Sequence, residues 1–207
     1  MNIEFFGPPG TGKTYITEKL TGISRQEQKD NSQKNSIRLL KNISKYSPPS
    51  LFYRYKIKKV LSGEVLHYHY HDTSLEEMID SIVLVATSYR LNLRPDGILD
   101  EGLVQRVVSM GINFQLSKNT LLRLIELFSL PLSDVKVVFI SMDKSKILRS
   151  IQERGRKESK MDYFEDDKLT NFVEQYIEVC QFIAESFHFE TITRSDFSKF
   201  IEENKRK

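Results

Sequence analysis

One cysteine, Cys180, in 207 residues leaves no disulfide framework available. It sits in an apolar helical pattern, where a buried, inert thiol is the expectation. Long hydrophobic runs are missing too: the longest, near Ile82 to Thr87, falls far short of the roughly 20 residues that cross a bilayer, so no membrane association is expected. Charge of one sign is scarce, since 31 Lys and Arg against 28 Asp and Glu leave a net charge of +3. Such a balance offers little of the basic field on which a nucleic-acid channel depends, and the basic end Asn204-Lys205-Arg206-Lys207 reads as a solvated terminus. There is no internal repeat and no linker composition. Met1 leads straight into the first apolar run, leaving no room for a targeting peptide. One domain over 1–207, in the cytoplasm, is therefore expected, with the 39% hydrophobic and 29% charged content of an ordinary globular protein.

What is present is concentrated at the start. Ile3-Glu4-Phe5-Phe6 breaks into Gly7-Pro8-Pro9-Gly10-Thr11-Gly12-Lys13-Thr14, and an amphipathic run from Tyr15 to Leu20 follows. This is the phosphate-binding pattern G-x-x-x-x-G-K-[ST] in the strand-loop-helix context it requires. Gly7, Gly10 and Gly12 let the backbone turn and approach phosphate oxygens without a Cβ in the way, so that successive amides surround the anion. The helix opening near Lys13 adds its positive end. Lys13 is expected to reach the β- and γ-phosphates of ATP and the Thr14 hydroxyl to ligate Mg2+. Tyr15 adjoins the loop as a further nucleotide contact.

Beyond the first helix, 24–36 is polar and aperiodic and reads as a loop. A helix is expected from Ile37 to Tyr46, stopped by Ser47-Pro48-Pro49-Ser50, then another from Leu51 to Leu61. Val65 to His71 alternates and reads as a short strand. Ser74 with Glu77 makes a capping box for a helix reaching about Tyr89. Ile98-Leu99 is a brief buried strand, Leu103 to Met110 a helix, and Leu121 to Leu130 a helix closed by Pro131. Val135 to Ile140 is a near-continuous apolar strand, as suits a parallel strand covered on both faces. Helices over Lys144 to Arg154 and Lys168 to Phe187, a strand over Phe189 to Ile192 and a helix over Asp196 to Asn204 complete the chain. Strands alternating with helices imply an α/β fold, a parallel sheet with helices on both sides.

Asp100 and Glu101 end the Ile98-Leu99 strand, and in an open parallel sheet such strand ends share one crevice. Asp100 is thus the candidate second metal residue beside Thr14, and Glu101 a candidate proton acceptor or a second metal contact. The alternative is that the pair merely caps the helix after Gly102. Arg106, one turn later, is a candidate substrate clamp or a surface ion pair. Arg149, Arg154 and Arg156 surround Gly155, a possible hinge. Their planar charged groups match the equatorial oxygens of a transferring phosphoryl group, or else form a solvated basic face. His67, His69 and His71 would share one face of their strand, for zinc, an aromatic wall or packing. Tyr53, Arg54, Tyr55, Lys58 and Lys59 suit base stacking or a solvated helix equally well.

GPPGTGKT, then ILDEG with Gln105-Arg106 following, then VVFISMDKSKILRSIQERGRK resemble the phosphate-loop kinases of the thymidylate and adenylate kinase type over most of the chain. The resemblance implies a five-stranded parallel sheet of order 2-3-1-4-5, an acceptor-binding insertion over 22–74 and a lid over 149–166. It also implies roles for Lys13, Thr14, Asp100, Arg149, Arg154 and Arg156. Asp100-Glu101-Gly102 departs from the Asp-Arg-aromatic of thymidylate kinases, and 22–74 carries no legible acceptor signature. The expected activity is ATP- and Mg2+-dependent phosphoryl transfer to a small-molecule acceptor: a nucleotide, a nucleoside, a sugar or a sugar nucleotide. A ring-forming or switch ATPase is the alternative, with a polynucleotide 5′-hydroxyl kinase and an inactive nucleotide sensor behind it. A homodimer stays open.

Overall fold

Strand β1 (Asn2–Phe6) sorts its side chains by alternation. Ile3 and Phe5 enter one apolar cluster, with Ile16, Leu20, Phe197 and Phe200. Phe6 enters the other, with residues of the helices across the sheet. Fully burying side chains of this size contributes about 1.5–3 kcal/mol each, so the strand is fixed between two layers. The computed structural model describes residues 2–24, 26–27, 47–70, 72–90, 97–153 and 160–204.

β1 lies between β2 (Ile98–Leu99) and β3 (Val135–Ile140), and β3 pairs with β4 (Glu190–Ile192). All three pairings are parallel, in the order β2-β1-β3-β4. Glu4 stands opposite Leu99 and Val137, and Phe6 opposite Phe139. The register brings Gly7, Asp100, Ser141 and Thr193, each following its strand, to one edge. This is the expected order with one strand fewer among the described residues. The missing strand is the one expected at Val65 to His71: Val65–Tyr70 runs without regular structure, and His71 lies outside the described residues. Its backbone finds a helix end instead, His69 N donating to Asn113 O at 3.0 Å, while Tyr70 packs its ring on Phe172 and Phe164.

Helix α1 (Lys13–Thr21) ends on Gly22, at a φ of +70°. Helix α2 (Pro48–Leu61) begins earlier than the expected Leu51, because Ser47 and the two prolines form its start. The Ser47 hydroxyl accepts from Ser50 N, and proline suits the first turn because its missing N–H has no partner to lose. The helix expected over Ile37–Tyr46 lies outside the described residues. The Ser74–Glu77 box opens α3 (Leu75–Arg90) as expected, Ser74 N donating to Glu77 at 2.9 Å. Next come α4 (Leu103–Phe114), α5 (Lys118–Glu126) and α6 (Ser129–Leu132), which takes up Pro131 instead of ending on it. α7 (Lys144–Glu153), α8 (Asp166–Ser186) and α9 (Phe197–Asn204) follow. α1 and α9 cover one face of the sheet, and α3, α4 and α8 the other. Among the described residues no helix is long and apolar enough to cross a membrane. Cys180 is buried in α8, and burial pushes its thiol up to about 12 against the opposing charge of Lys13.

Candidate active site: a phosphate loop and a strand-end aspartate

The turn from β1 into α1 takes backbone angles that glycine alone tolerates. Gly7, Gly10 and Gly12 have φ of +150°, +82° and +99°. At Gly7 space also forbids a side chain, because a Cβ would stand 2.7 Å from Ile140 O. Pro8 and Pro9 have no N–H, so the donors that the turn can offer an anion run from Gly10 to Thr14, at the positive end of α1. Thr11 is fully buried, and its hydroxyl braces the turn by donating to Pro8 O at 2.9 Å. Lys13 Nζ donates to Gly7 O at 2.7 Å and Pro8 O at 2.8 Å. The ammonium group is thus folded over the loop that the sequence assigned to it.

Thr14 Oγ1 donates to Asp100 Oδ2 at 3.0 Å. The two residues proposed to share a metal meet at the crevice, and their hard oxygens suit Mg2+, which accepts one or two protein ligands and takes the rest from water and phosphate. Glu101 is exposed next to Asp100.

Neither of these acids caps α4. The N-cap is Gly102, and the carboxylate that meets the helix comes from β1: Glu4 Oε1 accepts from Val104 N at 2.5 Å and Gln105 N at 3.2 Å. Glu4 Oε2 accepts the Tyr89 hydroxyl at 2.7 Å. Glu4 is wholly buried, which pushes its carboxyl up from the ordinary 4.5. Hydrogen bonds from Tyr89 and from the Leu103, Gln105 and Val104 amides pull the other way without cancelling this. Gly102 is small for this reason, since a Cβ there would fall 2.1 Å from Glu4 Cδ. Sequence reasoning missed Glu4. Its signal was a lone acid in an apolar strand, a residue that strand burial would strand without partners.

Other candidates are distributed differently. Arg106 reaches between α4 and α3, donating from Nη1 to Ser81 Oγ at 2.6 Å, and its buried Nε has no hydrogen-bond partner among the described residues. Arg149 points outward and pairs along its own helix with Glu153 at 2.5 Å, a contact that raises its pKa. Arg154 and Arg156 lie outside the described residues. Tyr15 is exposed at the loop's rim and stacks on Phe197, centroids 6.4 Å apart. Arg54 pairs with Asp80 and Glu76, Lys58 pairs with Glu76, and Tyr53 is buried against Phe128. Tyr53, Arg54 and Lys58 of this α2 pattern are thus engaged in helix packing and surface ion pairing, while Tyr55 is exposed. The His69 ring meets Tyr70 edge-on at 4.4 Å. Among the described residues no three His, Cys, Asp or Glu gather as a metal-holding group.

A second residue that sequence reasoning passed over is Arg194, after β4. Its Nη2 donates to Gly10 O at 3.4 Å, and a Cβ on Gly12 would touch Phe197 at 3.1 Å. The opposite flank of the loop is α7, with Ile151 and Ile147 3.2 and 3.3 Å from a Cβ placed on Gly10. The loop therefore rests between α7 and the 194–197 turn.

A glycine-rich turn from the central strand of a parallel sheet into a helix, with a strand-end aspartate on that helix's first hydroxyl, is the arrangement of a phosphate-loop α/β fold. Among solved structures the chain is similar to deoxyadenosine kinase from M. mycoides. With bound dCTP that protein has a TM-score of 0.49 and 15% identity over 98% of this chain and 97% of the other. With the products dCMP and a flexible dCDP the values are 0.47 and 16%, over 98% and 95%. With bound dATP they are 0.46 and 14%, over 98% of both chains. No protein-family model and no curated protein matches the sequence.

Proposed function

We propose that the chain is an ATP- and Mg2+-dependent phosphotransferase acting on a small-molecule acceptor of nucleotide, nucleoside or sugar type. The observation that carries this is the meeting of Thr14 Oγ1 and Asp100 Oδ2 beside the amides of the loop. Thr14 and Asp100 would hold the Mg2+, which would supply positive charge to neutralise the polyphosphate. The amides of Gly10 to Thr14 and the Lys13 ammonium hold the polyphosphate and stabilise charge on the departing diphosphate. Glu101 accepts the proton of the acceptor hydroxyl as the new P–O bond forms and the bond from the γ-phosphorus to ADP breaks. Arg106, with N–H groups to spare between α3 and α4, orients the acceptor, which enters by the 22–74 insertion. The 149–166 lid brings Arg149, Arg154 and Arg156 over the phosphates and excludes water.

A mass-spectrometric screen tests this: the chain, ATP and Mg2+ with pools of nucleosides, nucleotides, sugars and sugar phosphates, deoxyadenosine included. ATP consumption at background until one acceptor is added, and that acceptor heavier by one phosphoryl group, is the expected result. ATP turnover that ignores every acceptor, or assembly into rings on ATP addition, would replace the kinase by an ATPase.

A further inference from the structure

The chain enters the phosphate loop through the Phe6–Gly7 peptide, and this peptide's N–H points into the protein. It donates to Gln105 Oε1 at 2.9 Å. Because Gly7 N can only donate, the Gln105 amide must turn its oxygen to it and its NH2 group the other way, where Tyr176 Oη accepts at 3.3 Å. Ser109 Oγ gives its one proton to the Gln105 main-chain carbonyl at 2.9 Å, so at the 2.6 Å contact with Tyr176 it is the acceptor and the phenol the donor. Every proton in the circuit is thereby assigned, and flipping the Gln105 amide would break two bonds at once. Gln105 and Tyr176 are buried, 7% and 6% exposed, so no water substitutes easily. From the opposite side Gly7 is pressed against Ile140 O. The next carbonyl along, Gly7 O, is one of the two on which Lys13 rests.

We infer that Gln105 is a positioning residue for the phosphate loop. Its amide fixes the first peptide plane, and through it the aim of the amides from Gly10 onward, while Tyr176 of α8 and Ser109 of α4 fix Gln105. The inference rests on the phosphate-binding reading above. The substitution Gln105→Met keeps the length and removes the acceptor. Tyr176→Phe removes one oxygen, leaves the ring in place and serves where the first variant folds poorly.

Calorimetry with inorganic tripolyphosphate and Mg2+ on the full chain reads the effect. Gln105→Met is expected to weaken binding about tenfold, the loss associated with one unsatisfied buried donor, and Tyr176→Phe by about threefold. The double variant is expected to bind no worse than Gln105→Met alone, because both act through one amide. In glycine-labelled protein the Gly7 amide proton resonance moves in both single variants, a signature that general loosening of the core would not confine to Gly7. Undiminished binding in both variants, strictly additive losses, or an unmoved Gly7 resonance would overturn the role of Gln105 alone. Absence of tripolyphosphate uptake by the unaltered chain would overturn the phosphate-binding reading and this inference with it.

Discussion

Thr14 and Asp100 stand 86 positions apart in sequence and 3.0 Å apart at Oγ1 and Oδ2. The parallel register of β1 with β2 brings them together, Glu4 opposite Leu99, so that the residue after Leu99 reaches the loop edge. Asp100→Asn keeps the size and one acceptor oxygen but loses the charge. Mg2+-dependent turnover is expected to fall on the order of 10–100-fold, with the Mg2+ requirement shifted to higher concentration. Turnover titrated with Mg2+ measures this, and an unchanged Mg2+ curve would take Asp100 out of the site.

Gly102 faces the carboxyl carbon of Glu4, with 2.1 Å left for any Cβ. Gly102→Ala must move a buried carboxylate or the start of α4. The expected cost is about 2–3 kcal/mol, at the upper end for overpacked cores. A denaturant midpoint within error of the unaltered protein would mean that the strand and helix are more loosely joined than this contact implies.

Glu4 also makes stability depend on pH. Its folded carboxyl is held above the ordinary 4.5, so folding favours the protonated form. Its contribution is therefore complete below that value and is lost as pH rises from it through the folded pKa. In the variant Glu4→Gln the side-chain amide does not titrate and can still accept from the Val104 and Gln105 amides. The stability of this variant relative to the unaltered protein is expected to improve as pH rises above the ordinary 4.5 of the carboxyl. Denaturant melts below pH 4.5 and at successively higher pH decide it, and a relative stability that declines with pH would show the carboxylate to be the favoured form.

Much of the architecture was legible because its signals are local. The phosphate loop is a contiguous pattern, Val135 to Ile140 is apolar throughout, and Ser74 with Glu77 announces α3 within one turn. Val65 to His71 misled because alternation describes side chains, whereas a strand also needs a neighbour for its backbone. Here Val65 and Tyr68 are exposed, and among the described residues of the segment only Tyr70 is buried. Asp100 could be placed because strand ends share an edge. The cap from Glu4 and the circuit through Gln105 and Tyr176 could not, since contacts across 100 and 71 positions have no sequence spacing to read.

The proposed role of Arg106 as an acceptor clamp can be tested apart from nucleotide binding. Its guanidinium donates to Ser81, and among the described residues its buried Nε has no hydrogen-bond partner. Arg106→Ala is expected to raise the acceptor KM about tenfold or more while the KM for ATP stays within about twofold, and Arg106→Lys to restore little, because one ammonium group does not reproduce the planar fork. Steady-state kinetics with the acceptor identified by the screen measure both constants. An effect confined to ATP would reassign Arg106 to the nucleotide.

The central claim is that the turn from Gly7 to Thr14 grips a polyphosphate through its amides and Lys13. Calorimetry of Mg-ATP binding to the unaltered chain and to Lys13→Ala tests it most directly. The account predicts saturable uptake by the unaltered chain and its loss in a variant that melts at the same temperature. No uptake by the unaltered chain at millimolar ATP, or equal uptake by both, would contradict it.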